Sequence, residues 1–161
     1  MNQDELYAAV ALSIAGLKRE RDLWGYVLCT DDDVSTLGCV ACTREWAEAN
    51  PSRRWIPACW DDWSGTPVLE RFNDELCDRS MGANGEAFER HIETAFEELT
   101  AVLARVRADG LVAPNTLLAV LVPDPGPAAQ ELAARSIDAL NEEATARGWK
   151  SELGLQFDSV E

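Results

Sequence analysis

Phe88, Ile92, Phe96, Leu99, Leu103 and Val106 recur at helical spacing, and this stripe constrains the fold more than any other stretch of the chain. The spacing predicts a helix from Asn84, its cap, to Asp109, with Gly110 as the stop. Glu86, Glu89, Glu93 and Glu97 occupy the outer face. A helix with one apolar face has to bury that face against other elements, so the surrounding sequence must supply them.

Leu6, Val10, Ile14 and Leu17 share the same period and predict an N-terminal helix ending near Lys18 and Arg19. Leu23 to Cys29 is a β-favouring run that stops at the turn-forming Asp31-Asp32-Asp33, and Leu37 to Ala41 can return beside it as an antiparallel partner. Thr43 is placed to cap a short helix through Trp46 and Ala49, closed by Asn50-Pro51. Trp55 to Trp60 reads as extended, and Pro57 makes it an edge strand or a loop. A further helix is expected from Pro67 to about Cys77. Thr116 to Val122, bounded by Pro114-Asn115 and Pro123-Asp124, reads as a buried central strand, and Pro127 to Arg147 as a last helix stopped by Gly148. No linker, repeat or low-complexity tract interrupts residues 1–161. The expectation is a single α+β domain, with a mainly antiparallel sheet of about four strands packed against several helices.

A chain of 161 residues with 47% apolar content can bury a core without staples. Its five cysteines, Cys29, Cys39, Cys42, Cys59 and Cys77, are odd in number and suit free thiols in a reducing compartment. The start has no secretory pattern, because Asp4 and Glu5 lead it, and no apolar run reaches membrane-spanning length. These features point to the cytoplasm. The net charge is −15, spread as −1 over residues 1–30, −6 over 31–80 and −8 over 81–161. Such a surface repels nucleic acid and anionic membranes, and it either keeps the chain dissolved or steers it toward a basic protein.

Few residue sets suggest catalysis. Cys39-Val40-Ala41-Cys42 is a CxxC, but the second pair or nearby histidine of a zinc site is missing, so the thiols read either as small packing residues or as a redox or metal pair. His91 is the sole histidine and sits at the edge of the long helix's apolar face, where packing is its ordinary role. No nucleophile elbow or glycine-rich nucleotide cradle occurs, and no cofactor is implied. The Asp31-Asp32-Asp33 and Asp61-Asp62 clusters read as solvated turns, protein contacts or, lacking calcium-loop spacing, a metal site.

Five of the six tryptophans fall between Trp24 and Trp63. Trp55, Trp60 and Trp63 are too close together for a single strand to point all of them inward, so at least one is expected at the surface. A tryptophan beside Asp61 and Asp62 would hold an Arg or Lys by ring contact and charge. The candidate partner-binding residues are therefore Asp31, Asp32, Asp33, Trp60, Asp61, Asp62 and Trp63.

At these positions the chain resembles a small bacterial family known only as a domain of unknown function. The matching features are Tyr26-Val27-Leu28-Cys29-Thr30-Asp31-Asp32-Asp33, Trp55 to Trp60, Phe88 to Gly110, Leu117 to Asp124, and a later Ser136 with Leu140-Asn141. Families of this kind resemble the immunity proteins encoded beside bacterial toxins. The resemblance implies a non-enzymatic protein that binds one basic toxin domain, a nuclease most naturally, and covers its active site. A housekeeping interaction or regulatory module is the alternative, followed by a thiol- or metal-dependent enzyme using Cys39 and Cys42.

Overall fold

The computed structural model describes residues 1–17, 22–123 and 125–155. The expected helix end at Lys18-Arg19 and the Asp124 boundary lie outside these residues. Helix α1 spans Gln3–Leu17 and buries Leu6, Val10, Ile14 and Leu17, the four residues of its predicted stripe. Strand β1 covers Leu23–Cys29 and β2 Gly38–Thr43; the two are antiparallel, with Tyr26 opposite Ala41 and Leu28 opposite Cys39. Thr43 caps α2 (Arg44–Ala49), its hydroxyl accepting from Trp46 N at 3.2 Å. Helix α5 runs Glu86–Ala108 and packs on α1, while β3 (Leu117–Leu121) is buried along its whole length.

The sheet differs from the expected four mainly antiparallel strands. It has three strands in the order β2-β1-β3, and β3 runs parallel to β1. The fold is mixed α and β, and the missing strand is the Trp55 to Trp60 segment. Pro57 opens a single 3-10 turn, Pro57–Cys59, that breaks the extension. Only Asp62 returns to the sheet, through one bridge in which Ala41 N donates to Asp62 O at 2.8 Å. The central strand is β1, and β3 is an edge strand that α6 (Pro127–Leu140) packs against.

Side chains close both edges of this small sheet. On the β3 side, Asn141 Oδ1 accepts from Leu118 N at 3.1 Å, its Nδ2 donates to Leu118 O at 2.8 Å, and Val120 N donates to Ser136 Oγ at 2.8 Å. On the β2 side, the Thr66 hydroxyl accepts from Cys39 N at 3.1 Å and donates to Cys39 O at 3.0 Å. Leaving such buried groups unpaired costs about 1–3 kcal/mol apiece, so these contacts stand in for further strands.

Other helix boundaries shift for local reasons. The segment expected as one helix from Pro67 is α3 (Thr66–Leu69), a 3-10 turn over Glu70–Phe72, then α4 (Asn73–Met81). The cap of α5 is Gly85 at φ 51°, a conformation glycine adopts without strain, and the Asn84 side chain makes no capping bond. The last predicted helix divides at Asn141, whose side chain serves β3; α7 then spans Glu143–Glu152 and runs through Gly148. Among the described residues no helix is long and apolar enough to cross a membrane.

The two sheet faces are packed differently. Tyr26 and Leu28 face α1, where Tyr26 OH and Ser13 Oγ are 3.1 Å apart in a buried pair. Across the sheet, Trp60 lies over Gly25 and stacks on Trp149 of α7 at 6.4 Å. Most of the indoles on this face hang from one loop: Arg54 O accepts from both Trp24 Nε1 (3.2 Å) and Trp60 Nε1 (3.1 Å), and Trp55 O accepts from Trp149 Nε1 (2.8 Å). The Arg54 guanidinium lies over Trp24 and Trp55, 5.2 and 5.4 Å from their ring centres.

Candidate functional site

Asp31, Asp32 and Asp33 follow the end of β1, whereas Asp62 bridges Ala41 within β2 and Trp60 lies over Gly25 near the start of β1, and the structure divides each cluster into supporting and exposed groups. Asp31 is half-buried and supports its loop: Oδ1 accepts from Ser35 N at 2.6 Å and Oδ2 from Ser35 Oγ at 2.6 Å. Partial burial pushes its pKa up, but the Ser35 and Thr36 donors outweigh that and hold it below the usual Asp value. The same turn keeps Val34 at φ 49° with its side chain fully buried. A β-branched residue there is strained by on the order of 1–3 kcal/mol, so the loop is held in one shape rather than merely solvated. Asp32 and Asp33, at its tip, are exposed and make no hydrogen bond or ion pair among the described residues.

The second cluster divides in the same way. Trp60 is 2% exposed, its ring enclosed by Gly25 and Trp149 and its N–H donated to Arg54 O, which corrects its expected place on a contact surface. A ring already surrounded by core has no face left for a partner. Asp62 accepts from Ser64 N at 3.1 Å and Ser64 Oγ at 2.6 Å and gives its carbonyl to β2. Asp61 is exposed. Trp63 is 46% exposed and is the ring in this segment that reaches solvent most fully.

Two neighbouring cavities share part of their lining, with Asp31 bordering one and Trp63 the other. Cys29 and Pro123, at the ends of β1 and β3, line both. One, about 380 Å³, is bordered by Thr30, Asp31, Thr36 and Glu70. The other, about 230 Å³, is mostly apolar and is bordered by Val40, Ile56, Ala58, Trp63 and Leu153. Sequence reasoning missed Glu70, Ala58 and Pro123, which come from segments far apart in the chain and carry no local motif. Among the described residues, Arg44, Arg79, Arg105, Arg135, Arg147 and Lys150 pair with Asp22, Glu98, Asp4, Glu131, Glu143 and Asp138.

The CxxC thiols are held apart by the strand. Cys39 and Cys42 are fully buried in β2 and point to opposite faces, opposite Leu28 and Gly25 respectively. Burial raises the Cys39 thiol above its ordinary value and pushes Cys42 up to about 12, the nearby Asp61 charge adding to the latter. His91 is buried, with both ring nitrogens unpartnered among the described residues. Among those residues no group of three or more His, Cys, Asp or Glu could hold a metal ion.

Residues 5–142 match the family model described as a domain of unknown function, DUF4303, and the chain belongs to that family. No curated protein and no solved structure matches it.

Proposed function

We propose that this member of the family is a non-enzymatic immunity protein of the bacterial cytoplasm, neutralising a cognate toxin by covering a basic active site. A nuclease is the most natural target, since its nucleic-acid site must carry positive charge. The observation that carries the reading is Trp63, a large ring left in solvent beside Asp61 and Asp62, with Asp32 and Asp33 exposed in the loop that follows β1. Tryptophan is enriched among the residues that carry binding energy in interfaces, and with carboxylates beside it the ring suits the stem and head of an Arg or Lys. The net charge of −15 supplies long-range attraction to such a partner and repels competing nucleic acid.

In this reading Asp32, Asp33, Asp61 and Trp63 touch the partner, Asp31 fixes the loop that presents the first two, and Trp60 supports the face from beneath. The test is co-expression with the protein encoded by the neighbouring gene. Rescue of growth together with recovery of a stable complex supports the reading. A toxic neighbour that this chain neither binds nor suppresses refutes it.

A further inference from the structure

The same face carries more than charge. Resting on the proposed role as a binder of a basic protein, we infer that the cavity bordered by Trp63 and its neighbour bordered by Asp31 form one peptide-docking cleft. The occupant is a polypeptide segment with a single apolar side chain flanked by cations, the apolar group entering the cavity at Ala58 and Trp63 and a cation the one at Asp31 and Glu70.

The volumes and linings decide what fits. The apolar cavity, about 230 Å³, has room for one aliphatic or aromatic side chain. Its walls, among them Val40, Ile56 and Leu153, offer no charge, whereas the neighbouring cavity is edged by Asp31 and Glu70 and has no basic side chain in its lining. Cys29 and Pro123 line both, so side chains close together on one segment reach both. Charge complementarity then specifies the flank: Glu70, in the lining of the second cavity, is exposed and carries no side-chain hydrogen bond or ion pair among the described residues, so a cation can approach without displacing an existing partner. An anchor in a pocket ringed by polar contacts is the usual layout of an energetic centre in a protein interface.

Two capped peptides test this, Gly-Lys-Arg-Leu-Arg-Lys-Gly and the same sequence with Ser in place of Leu, titrated by fluorescence anisotropy against the full chain. The Leu peptide should bind about tenfold more tightly, the effect of burying most of one aliphatic side chain. Ala58→Glu separates charge from cavity, because Ala58 is exposed and the added carboxylate would strengthen attraction by charge alone. The cleft predicts that Ala58→Glu abolishes the Leu preference, that Trp63→Ala reduces it, and that Glu70→Lys weakens both peptides together. Equal binding of the two peptides to the unaltered chain, or a preference that survives Ala58→Glu and Trp63→Ala, overturns the inference. Self-association broken by Ala58→Glu would assign the cavity to a second copy, and a preference seen only after removing residues 156–161 would assign it to the chain's own end; either result also overturns it. A toxic partner bound equally by the Ala58→Glu variant refutes the cleft and leaves the neutralising role standing, whereas peptide discrimination without toxin binding does the reverse.

Discussion

The Asn141 amide pairs with Leu118 as a neighbouring strand would, accepting from its N–H at 3.1 Å and donating to its carbonyl at 2.8 Å. The same Nδ2 also donates to Ile137 O at 2.8 Å, closing the end of α6. One side chain thus ends a helix and an edge strand together. Asn141→Ala should destabilise the chain by about 2–4 kcal/mol, because both Leu118 backbone groups lose their partner in a buried setting. Asn141→Asp should cost at least as much, since it turns a carboxylate toward two carbonyls. Urea denaturation checks this, and a loss under about 1 kcal/mol for the alanine variant would contradict it.

Gly25 is a position of close approach rather than of unusual backbone angle. A Cβ there would lie 2.3 Å from Trp60 Cη2 and 2.9 Å from Cζ3. Trp60 has little room to retreat, being stacked on Trp149 and tied to Arg54 O. Gly25→Ala should therefore cost about 1–3 kcal/mol. Adding Trp60→Phe should cost less in the Gly25→Ala background than in the unaltered chain, because a smaller ring relieves the clash. Equal costs in the two backgrounds would argue against the close approach.

Thiol accessibility follows from burial. Cys59 is exposed, whereas Cys39 and Cys42 are fully buried, the latter with its thiol pushed up to about 12. At neutral pH a disulfide-exchange reagent should modify Cys59 fastest and leave Cys39 and Cys42 untouched until the chain unfolds. Rapid native-state labelling of Cys39 or Cys42 would contradict this and favour the thiol-enzyme alternative.

Asp31 links the contact loop to pH. Its folded pKa lies below the unfolded value, so its stabilising contribution is fully present above the ordinary Asp range and disappears as pH falls through the lowered value. Acid should therefore loosen the loop that carries Asp32 and Asp33. Asp31→Asn keeps an acceptor for Ser35 N and should flatten this part of the stability profile below about pH 4. An unchanged acid slope would remove Asp31 from that role.

The parts legible in sequence were those set by local periodicity or local chemistry. The stripes of α1 and α5, the β1 run and the Thr43 cap each depend on residues within a few positions of one another. The sheet's composition was less legible, because Trp55 to Trp60 has the composition of a strand while Pro57 turns it into a 3-10 element. Asn141 breaks a helical stretch for a tertiary reason, its pairing with Leu118 from a distant segment. At the candidate site, Trp60 and Trp63 are chemically identical in sequence. Only the third dimension shows that Gly25 admits one ring to the core and leaves the other in solvent.

The most direct test of the account is calorimetric titration of the neighbouring toxin-like protein with the unaltered chain and with the Asp32→Lys/Asp33→Lys/Asp61→Lys variant, at low and at physiological salt. These residues are exposed and unpaired among the described residues, so the variant should fold normally. Reversing three contact charges should weaken binding by at least about 100-fold, and the unaltered chain's affinity should fall as salt rises. Undiminished affinity in the triple variant, with no dependence on salt, would contradict the claim that this acidic, tryptophan-bearing surface is the binding face.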